Sequence, residues 1–418
     1  MRPRMMTFLF FIIFFLVVDF YLFQAVLAVS HEWSPLWKKV IRFGFWVPTV
    51  LCIIGLSWWM LGDPYRLSSG ARNWILTGLF ATYFSKIFGI LFVIADDAQR
   101  AVRWVAGLFT GSEGGGESLA GKAIPRSEFL AKAALVATAI PFGTMAYGIL
   151  SGAHDYRVRR VKVNLPNLPR SFDGIRVGHI SDIHSGSFFN KTAVRGGVEM
   201  LMKEKADMIF FTGDLVNNEA PEVKDYIEIF DKIRAPLGVY SVTGNHDYGD
   251  YYNWSSREAK QKNFRDLMAA HKELGFNLLM NDHHILEQGG DKIAILGNEN
   301  WGGRGFSQYG KLHEAVKGTE EASVKLLLSH DPSHWDGQVR PQFPDIDVMF
   351  SGHTHGFQFG VEIGGFKWSP SQYAYKQWAG LYQEENQYLY VNRGFGYLGY
   401  PGRIGMPPEL TILELKRA

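Results

Sequence analysis

The chain has 418 residues, with 43 lysine and arginine residues against 41 aspartate and glutamate residues, and a single cysteine. Its length allows two or three domains, and a net charge of +2 gives no global argument for binding nucleic acid. The lone Cys52 excludes an intramolecular disulfide and a thiolate metal site. Any metal must therefore be bound by His, Asp, Asn or backbone oxygen.

The first 155 residues predict an all-α transmembrane region of about four helices. Its apolar segments are each near the ~20 residues that cross the hydrocarbon core as a helix, and they run over Met6–Val29, Val40–Leu61, Trp74–Ala95 and Phe129–Leu150. Between the last two, residues 111–122 are glycine-rich and predict a flexible loop. We expect a multi-pass integral membrane protein, with the lipid bilayer as its partner.

The side of the membrane on which the rest of the chain lies has two interpretations. With the N-terminus inside, eight positive residues fall in inside loops and six in outside loops, which favours a cytoplasmic C-terminal region. In contrast, "PRSEFLAKAAL" before the fourth span is similar to an export signal that lacks one of its paired arginines. That interpretation places the C-terminal region outside.

Residues 156–171 predict a strand and a proline-punctuated linker, and residues 172–418 predict a separate globular domain. In this domain, strand-like apolar runs such as "ADMIFFTG" and "VKLLLSH" alternate with helix-like segments such as "EVKDYIEIFDKI". The alternation favours an α/β fold whose helices cover buried sheets.

Polar clusters follow the predicted strands of this domain. In chain order they contain Asp182 and His184; Asp214; Asn245, His246 and Asp247; His330; and His353 and His355. Since ligands bind at the carboxyl ends of strands in open α/β sheets, we expect the clusters to meet in one place. Gly213, Gly244 and Gly352 allow the backbone to turn sharply there.

The ordered set D-x-H, G-D, G-N-H-D, H and G-H-x-H resembles the signature of the calcineurin-like metallophosphoesterases. The resemblance covers roughly Phe172 to Leu415, and the four apolar segments before it are similar to the membrane-attached bacterial branch of the family. It implies a four-layer α-β-β-α sandwich, a metal-dependent phosphoric ester hydrolase, and two divalent metal ions of which Mn, Fe or Zn suit the ligands.

The resemblance also implies roles for the residues of the clusters. One metal would be held by Asp182, His184 and His355, the other by Asn245, His330 and His353, and Asp214 would bridge the two. A water activated by the metals attacks phosphorus, His246 assists the leaving group, and Asp247 supports the His246 ring. An extended "GHTH" segment would direct His353 and His355 to one side, with Thr354 as a spacer.

The resemblance implies a phosphomonoester, phosphodiester or pyrophosphate as substrate and a place in the bacterial inner membrane, and attachment to a bilayer favours a lipid-linked substrate. The resemblance suggests UDP-2,3-diacylglucosamine as a candidate. Arg304, Arg393 and Arg403 lie in predicted loops and are candidates for phosphate contact, as is His334. The sequence identifies no protein partner.

Two other functions remain open at this point. A nuclease or a cyclic-nucleotide phosphodiesterase would use the same metals, although the chain has no basic stripe for a nucleic acid. A non-catalytic membrane scaffold could be built on the same fold, although the complete ligand set and His246 argue against it.

Overall fold

The computed structural model of the chain describes residues 3–62, 69–109 and 125–418. They divide into two compact units, residues 1–146 and 147–418, called here the N-terminal and C-terminal units. The predicted glycine-rich loop at 111–122 lies outside the described residues.

The N-terminal unit consists of long apolar helices. They are α1 (Pro3–Val29), α2 (Pro35–Leu61), α3 (Ser69–Phe109) and α4 (Glu128–Leu150), the last of which ends in the C-terminal unit. All four are long and apolar enough to span a membrane. Large side chains such as Phe10, Phe43 and Leu51 are exposed on them, which is expected of helix faces that contact lipid. The chain is therefore an integral membrane protein.

A buried polar group lies inside this helical unit. The carboxylate of Asp19 accepts hydrogen bonds from Thr49 (2.7 Å) and Tyr83 (2.9 Å) and is paired with the ammonium group of Lys86. Charged residues are costly inside a membrane unless they are paired. The pairing explains how Asp19 is accommodated in a span that is otherwise apolar.

The C-terminal unit contains two six-stranded sheets and a separate hairpin. The first sheet has the order β1-β14-β2-β3-β4-β5, with β1 (Arg157–Leu165), β2 (Arg176–Ile180), β3 (Met208–Phe211), β4 (Val239–Ser241), β5 (Asn277–Leu278) and β14 (Glu409–Arg417). The second has the order β12-β13-β9-β8-β7-β6, with β6 (Asp282–Gln288), β7 (Asp291–Gly297), β8 (Val324–Leu328), β9 (Val348–Ser351), β12 (Gly380–Glu384) and β13 (Gln387–Val391). The hairpin pairs β10 (Val361–Ile363) with β11 (Phe366–Trp368).

The segment predicted to contain a strand and a linker begins with a strand. Residues 157–165 form β1, which pairs in parallel with β14 from Arg157 opposite Glu409 to Leu165 opposite Arg417. Val161, Val163 and Leu165 alternate with the exposed Lys162 and Asn164, which suits an edge strand with one covered face.

The two sheets pack face to face and helices cover their outer faces. Phe210 of β3 meets Phe350 of β9 edge-to-face at 4.9 Å between ring centroids. Neighbouring side chains on β3 point to the opposite face, where Phe211 packs against α5 (Lys191–Lys203) and α7 (Arg257–Glu273). Short helices complete both outer layers: α6 (Ile227–Phe230), α8 (Leu312–Ala315) and α9 (Arg340–Gln342). The predicted α-β-β-α architecture is confirmed.

Candidate metal centre

The predicted ligands come together at the carboxyl ends of five strands. Asp182 and His184 follow β2, Asp214 follows β3, Asn245 follows β4, His330 follows β8, and His353 and His355 follow β9. The strands β2, β3 and β4 are neighbours in the first sheet, and β8 and β9 are neighbours in the second. Because the sheets pack face to face, residues separated by more than 100 positions along the chain meet at one edge.

Asp182, His184 and His355 form one group of donor atoms. The Nε2 atom of His355 lies 3.1 Å from Nε2 of His184 and 3.2 Å from Oδ1 of Asp182. All three side chains are buried. These atoms are close enough to one another to surround a single ion.

His330 is the centre of the second group. Its Nε2 atom lies 3.2 Å from Oδ1 of Asn245, 3.2 Å from Oδ2 of Asp214 and 3.2 Å from Nδ1 of His353. The same Oδ2 atom of Asp214 lies 3.4 Å from Nε2 of His184 in the first group. Asp214 therefore stands between the two groups, where a bridging ligand is expected.

These distances fit divalent metal ions. Donors at about 2.1 Å from a metal, with angles between about 90° and 110°, are about 3.0–3.4 Å from one another. Nδ1 of His330 lies 2.7 Å from the carbonyl oxygen of Thr212, and Nδ1 of His184 lies 3.1 Å from Oδ1 of Asn217. Since oxygens accept there, each Nδ1 is the donor and each Nε2 faces the centre, the arrangement found in metal-binding histidines.

The charge state of the donors also suits a metal. Burial raises the pKa of Asp214, but the neighbouring rings of His330 and His246 outweigh burial and hold that pKa well below its ordinary value. Burial lowers the pKa of His184 to about 3 and that of His353 to about 4, so both rings are neutral. Burial also disfavours the charged form of His330, yet Asp214 raises its pKa to about 10. A metal entering the second group would displace that proton.

The ligand loops have an unusual backbone. Several non-glycine ligands have left-handed φ angles: Asp182 (52°), His184 (49°), Asp214 (59°), His353 (71°) and His355 (52°). Non-glycine residues in this region are strained and cluster at functional sites. The "GHTH" segment is therefore not extended as predicted, yet both of its imidazoles reach the centre.

Glycines allow the loops to approach one another. A Cβ atom on Gly352 would lie 1.9 Å from Oγ of Ser181 and 2.2 Å from Oδ2 of Asp182, and one on Gly244 would lie 2.3 Å from Oδ1 of Asp214. Gly213 has a φ of 93° as well as close backbone neighbours. Any side chain at these positions would displace a ligand.

The predicted role of Asp247 is wrong. Its carboxylate accepts hydrogen bonds from the backbone amides of Gly244, Asp214 and Leu215, each at 2.9 Å, and not from the His246 ring. The ring of His246 is held by the carbonyl oxygen of Asn217, 2.8 Å from Nδ1. Asp247 is thus a positioning residue that fixes the loop carrying Asp214. Thr354 is also more than a spacer, since its hydroxyl donates to the carbonyl oxygen of Trp378 at 2.6 Å.

Two of the predicted substrate contacts are wrong. Arg393 is buried and its guanidinium group is paired with Glu409. His334 is buried, and its ring nitrogens are taken by Ser329 and Gln338, each at 2.9 Å. Both residues lie near polar loop motifs in the sequence, but composition gives no measure of burial. The role proposed for Arg403 fails for the same reason, because its guanidinium group is buried among backbone carbonyls.

The other candidate, Arg304, is exposed and lies over the ring of Tyr375 at 5.2 Å. Tyr375 itself was not predicted, although its hydroxyl group is 2.7 Å from Nε2 of His353. Tyr251 was also not predicted, and its hydroxyl group accepts from Nδ2 of Asn245 at 3.0 Å. Tyr251 could have been found in the sequence, because it lies close to the G-N-H-D motif. Tyr375 could not, because it is separated from the nearest predicted ligand by about 20 residues of chain.

Known proteins share both units of the chain. A family described as "Probable Calcineurin-like phosphoesterase, transmembrane domain" matches residues 3–153, and one described as "Calcineurin-like phosphoesterase" matches residues 175–357. A Danio rerio "Transmembrane protein with metallophosphoesterase domain" is 30% identical over 295 residues, which are 68% of this chain and 62% of that relative. Its Bos taurus counterpart is 27% identical over 405 residues, 94% of this chain and 83% of the relative.

A bacterial relative matches about two thirds of the chain. The Bacillus subtilis "Uncharacterized metallophosphoesterase YkuE" is 28% identical over 300 residues, 66% of this chain and 94% of that protein. The fold and the two donor groups define a membrane-attached hydrolase of the metal-dependent phosphoester class. The chain belongs to the calcineurin-like metallophosphoesterase family and carries that family's N-terminal four-helix transmembrane domain. The predicted family and enzyme class are confirmed.

Proposed function

We propose that this protein hydrolyses a phosphoester or pyrophosphate with two divalent metal ions held at the carboxyl ends of its strands. The position of Asp214 carries the proposal, because one carboxylate oxygen lies 3.4 Å from Nε2 of His184 and 3.2 Å from Nε2 of His330. Such a carboxylate can bridge two ions. When bound, the ions stabilise the charge that develops on the phosphoryl group and lower the pKa of a water molecule.

The protein's own residues position the reaction. Asp182, His184 and His355 hold one ion, Asn245, His330 and His353 hold the other, and Asp247 fixes the Asp214 loop. His246 is half-buried, and the carbonyl oxygen of Asn217 binds its Nδ1 atom. Its Nε2 atom is therefore the one that delivers a proton to the leaving oxygen.

The identity of the metals and of the substrate is proposed from chemistry. A donor set of imidazole, carboxylate and one amide oxygen suits Mn, Fe or Zn. Attachment through four helices favours a substrate that is itself lipid-linked, and UDP-2,3-diacylglucosamine is the first candidate to test. The proposed location is the bacterial inner membrane, with the C-terminal unit on the cytoplasmic side, where a nucleotide-linked lipid precursor is accessible.

Hydrolysis of bis-p-nitrophenyl phosphate by the full chain in detergent, with added Mn²⁺, tests the proposal. We expect Asp214→Asn to lose metal and activity together. His246→Ala should keep its metal content and lose about 10²–10⁴-fold in rate, since it removes only a proton donor. The exposed His313→Ala is the matched control and should behave as the native chain.

Two results would contradict the proposal. Equal activity of Asp214→Asn and the native chain would show that the centre is not where the ester reacts. Absence of bound Mn, Fe or Zn in the native chain would favour a non-catalytic scaffold. UDP-2,3-diacylglucosamine, assayed beside a cyclic nucleotide and single-stranded DNA, then separates the substrate classes.

A further inference from the structure

We propose that the β10–β11 hairpin inserts its apolar face into the bilayer beside the end of α4. The hairpin contains residues 361–368 and begins six positions after His355. Insertion would favour a phosphoester that is presented at the surface of the bilayer, and this consequence rests on the proposed function.

An ordinary surface strand directs its polar face to solvent and its apolar face to the protein. The hairpin has the opposite arrangement. Glu362 and Lys367 are cross-strand partners and share one face. That face points to the protein, because Glu362 is paired with Arg159 at 2.6 Å and Lys367 lies over the ring of Trp378 at 4.7 Å. The charged side chains are therefore directed inward.

The opposite face of the hairpin is apolar and uncovered. It contains the cross-strand pairs Ile363 with Phe366 and Val361 with Trp368. Ile363 is 73% exposed and Phe366 is 63% exposed, and Phe357, just before the hairpin, is 63% exposed. Contiguous exposed apolar surface of this kind marks an interaction site.

The tip of the hairpin extends away from the rest of the C-terminal unit. Gly364 and Gly365 have φ angles of 55° and 88°, as the two central residues of a tight hairpin turn require. A Cβ atom on either would have no neighbour within 4 Å among the described residues. Since a two-stranded hairpin alone is marginally stable in water, an apolar partner for this one is expected.

The hairpin is continuous with a segment that reaches the membrane boundary. Helix α4 begins at Glu128 and has 23 residues, about 34 Å, so Gly148 lies about 30 Å along it, one bilayer thickness from its start. The backbone amide of Arg403 donates to the carbonyl oxygen of Gly148 at 3.1 Å. A Cβ atom on Gly148 would also lie 2.7 Å from Cγ1 of Ile404. The loop that contains Arg403 and Ile404 therefore lies at the boundary.

That loop is hydrogen-bonded to the chain entering the hairpin. The amide of Ile404 donates to the carbonyl oxygen of Gln358 at 2.8 Å. The amide of Gly360 donates in turn to the carbonyl oxygen of Ile404 at 2.9 Å. Hydrogen-bonded segments of this kind lie about 4.8 Å apart. The apolar hairpin thus begins one strand width from the loop that packs on the last span. Among possible partners for its apolar face, the lipid bilayer is the one already present there.

Depth-dependent quenching in vesicles tests the inference. The full chain with Ile363→Cys, in a Cys52→Ser background, is labelled with an environment-sensitive fluorophore. It is then reconstituted into vesicles of phosphatidylethanolamine and phosphatidylglycerol, with or without nitroxide on the acyl chains. We expect about twofold or stronger quenching by the nitroxide lipid. Glu320→Cys is the matched control, because it is exposed and precedes β8, at the edge opposite the metal centre, and it should be unquenched.

A second measurement uses substrates. A diacylglycerol p-nitrophenyl phosphate in the vesicles yields p-nitrophenolate and phosphatidic acid when water attacks phosphorus. We expect the double variant Ile363→Glu and Phe366→Glu to lower the rate on this lipid about tenfold relative to its rate on bis-p-nitrophenyl phosphate, because charge opposes insertion. An unchanged ratio would overturn the inference.

The two proposals fail in different ways. If residue 363 is not quenched while the native chain hydrolyses the soluble ester, the hairpin proposal is wrong and the proposed function stands. If residue 363 is quenched but neither ester is hydrolysed, insertion of the hairpin is supported and the proposed function is contradicted. Fluorescence that depends on protein density and not on the nitroxide lipid would show that a second copy covers the hairpin, which also overturns insertion.

Discussion

The left-handed backbone of Asp182, His184 and Asp214 has an energetic cost that other residues must offset. Each such residue costs on the order of 1–3 kcal/mol. Asp247 offsets part of it, because its buried carboxylate accepts three backbone amides from the loops of Asp214 and Gly244. Burial and the charge of Asp214 raise the pKa of Asp247 to about 7, so these hydrogen bonds gain strength as the carboxyl group ionises. The loop geometry is thus fixed by main-chain contacts before any ion binds.

A second carboxyl group fixes the loop that orients His184 and His246. Glu222 accepts from the backbone amide of Asn217 at 2.6 Å and from that of Glu219 at 3.3 Å. Burial raises the pKa of Glu222 to about 7, despite the amides that lower it. Because the folded chain holds the proton more tightly than the unfolded chain, stability is full below pH ~4.5 and falls as the pH rises toward 7.

We therefore expect Glu222→Gln, which mimics the protonated form, to gain stability relative to the native chain between pH 5 and pH 8. The difference should grow by roughly 2–4 kcal/mol across that range. Thermal unfolding of the full chain in detergent measures it, with the exposed Glu199→Gln as the matched control. A difference that stays constant with pH would show that Glu222 does not titrate there.

At the scale of elements, a network of ion pairs joins four strands. Arg393, just after β13, is paired with Glu409 at the start of β14 and with Glu362 of β10 at 3.4 Å. Arg159 of β1 reaches the same Glu409 at 3.3 Å and Glu362 at 2.6 Å. The hairpin and both sheets are thus linked by charge.

We expect Arg393→Ala to destabilise the C-terminal unit by about 3–5 kcal/mol, because it leaves Glu409 buried with one partner fewer. Arg304→Ala is the control, since its side chain is exposed, and it should unfold as the native chain does. The unfolding midpoint of the full chain measures the effect. Native stability together with a raised KM for the soluble ester would instead restore Arg393 as a substrate contact.

The same elements show what could be predicted from the sequence. The ligands were identified because each follows an apolar run, and strand ends of a sheet meet at one edge whatever the loops between them. The positions of Arg393 and His334 could not be predicted, because burial of a loop side chain depends on distant strands. The alternation in "VEIGGFKW" indicates two faces, but the sequence does not say that the charged face of Glu362 and Lys367 points inward.

At the scale of the whole molecule, the two units depend on metal to different degrees. The polar group of the N-terminal unit is internally paired, with Asp19 bound by Thr49, Tyr83 and Lys86. The buried carboxylates Asp182 and Asp214 of the C-terminal unit are instead surrounded by donors that fit ions. A ligand that binds the folded form at 100 times its dissociation constant adds about 2.7 kcal/mol of stability.

We therefore expect chelation of the full chain in detergent to abolish hydrolysis and to lower the unfolding temperature of the C-terminal unit alone. The sheet band of the infrared amide spectrum follows the loss of the sheets, and helical circular dichroism follows the loss of the membrane helices. Only the first transition should move. Adding Mn²⁺ should restore both the temperature and the rate. Asp214→Asn is the matched control, because a chain that has already lost the bridging carboxylate should be insensitive to the chelator. Equal shifts in both transitions, or a shift in Asp214→Asn as large as in the native chain, would mean that the metal stabilising the protein is not held at this centre.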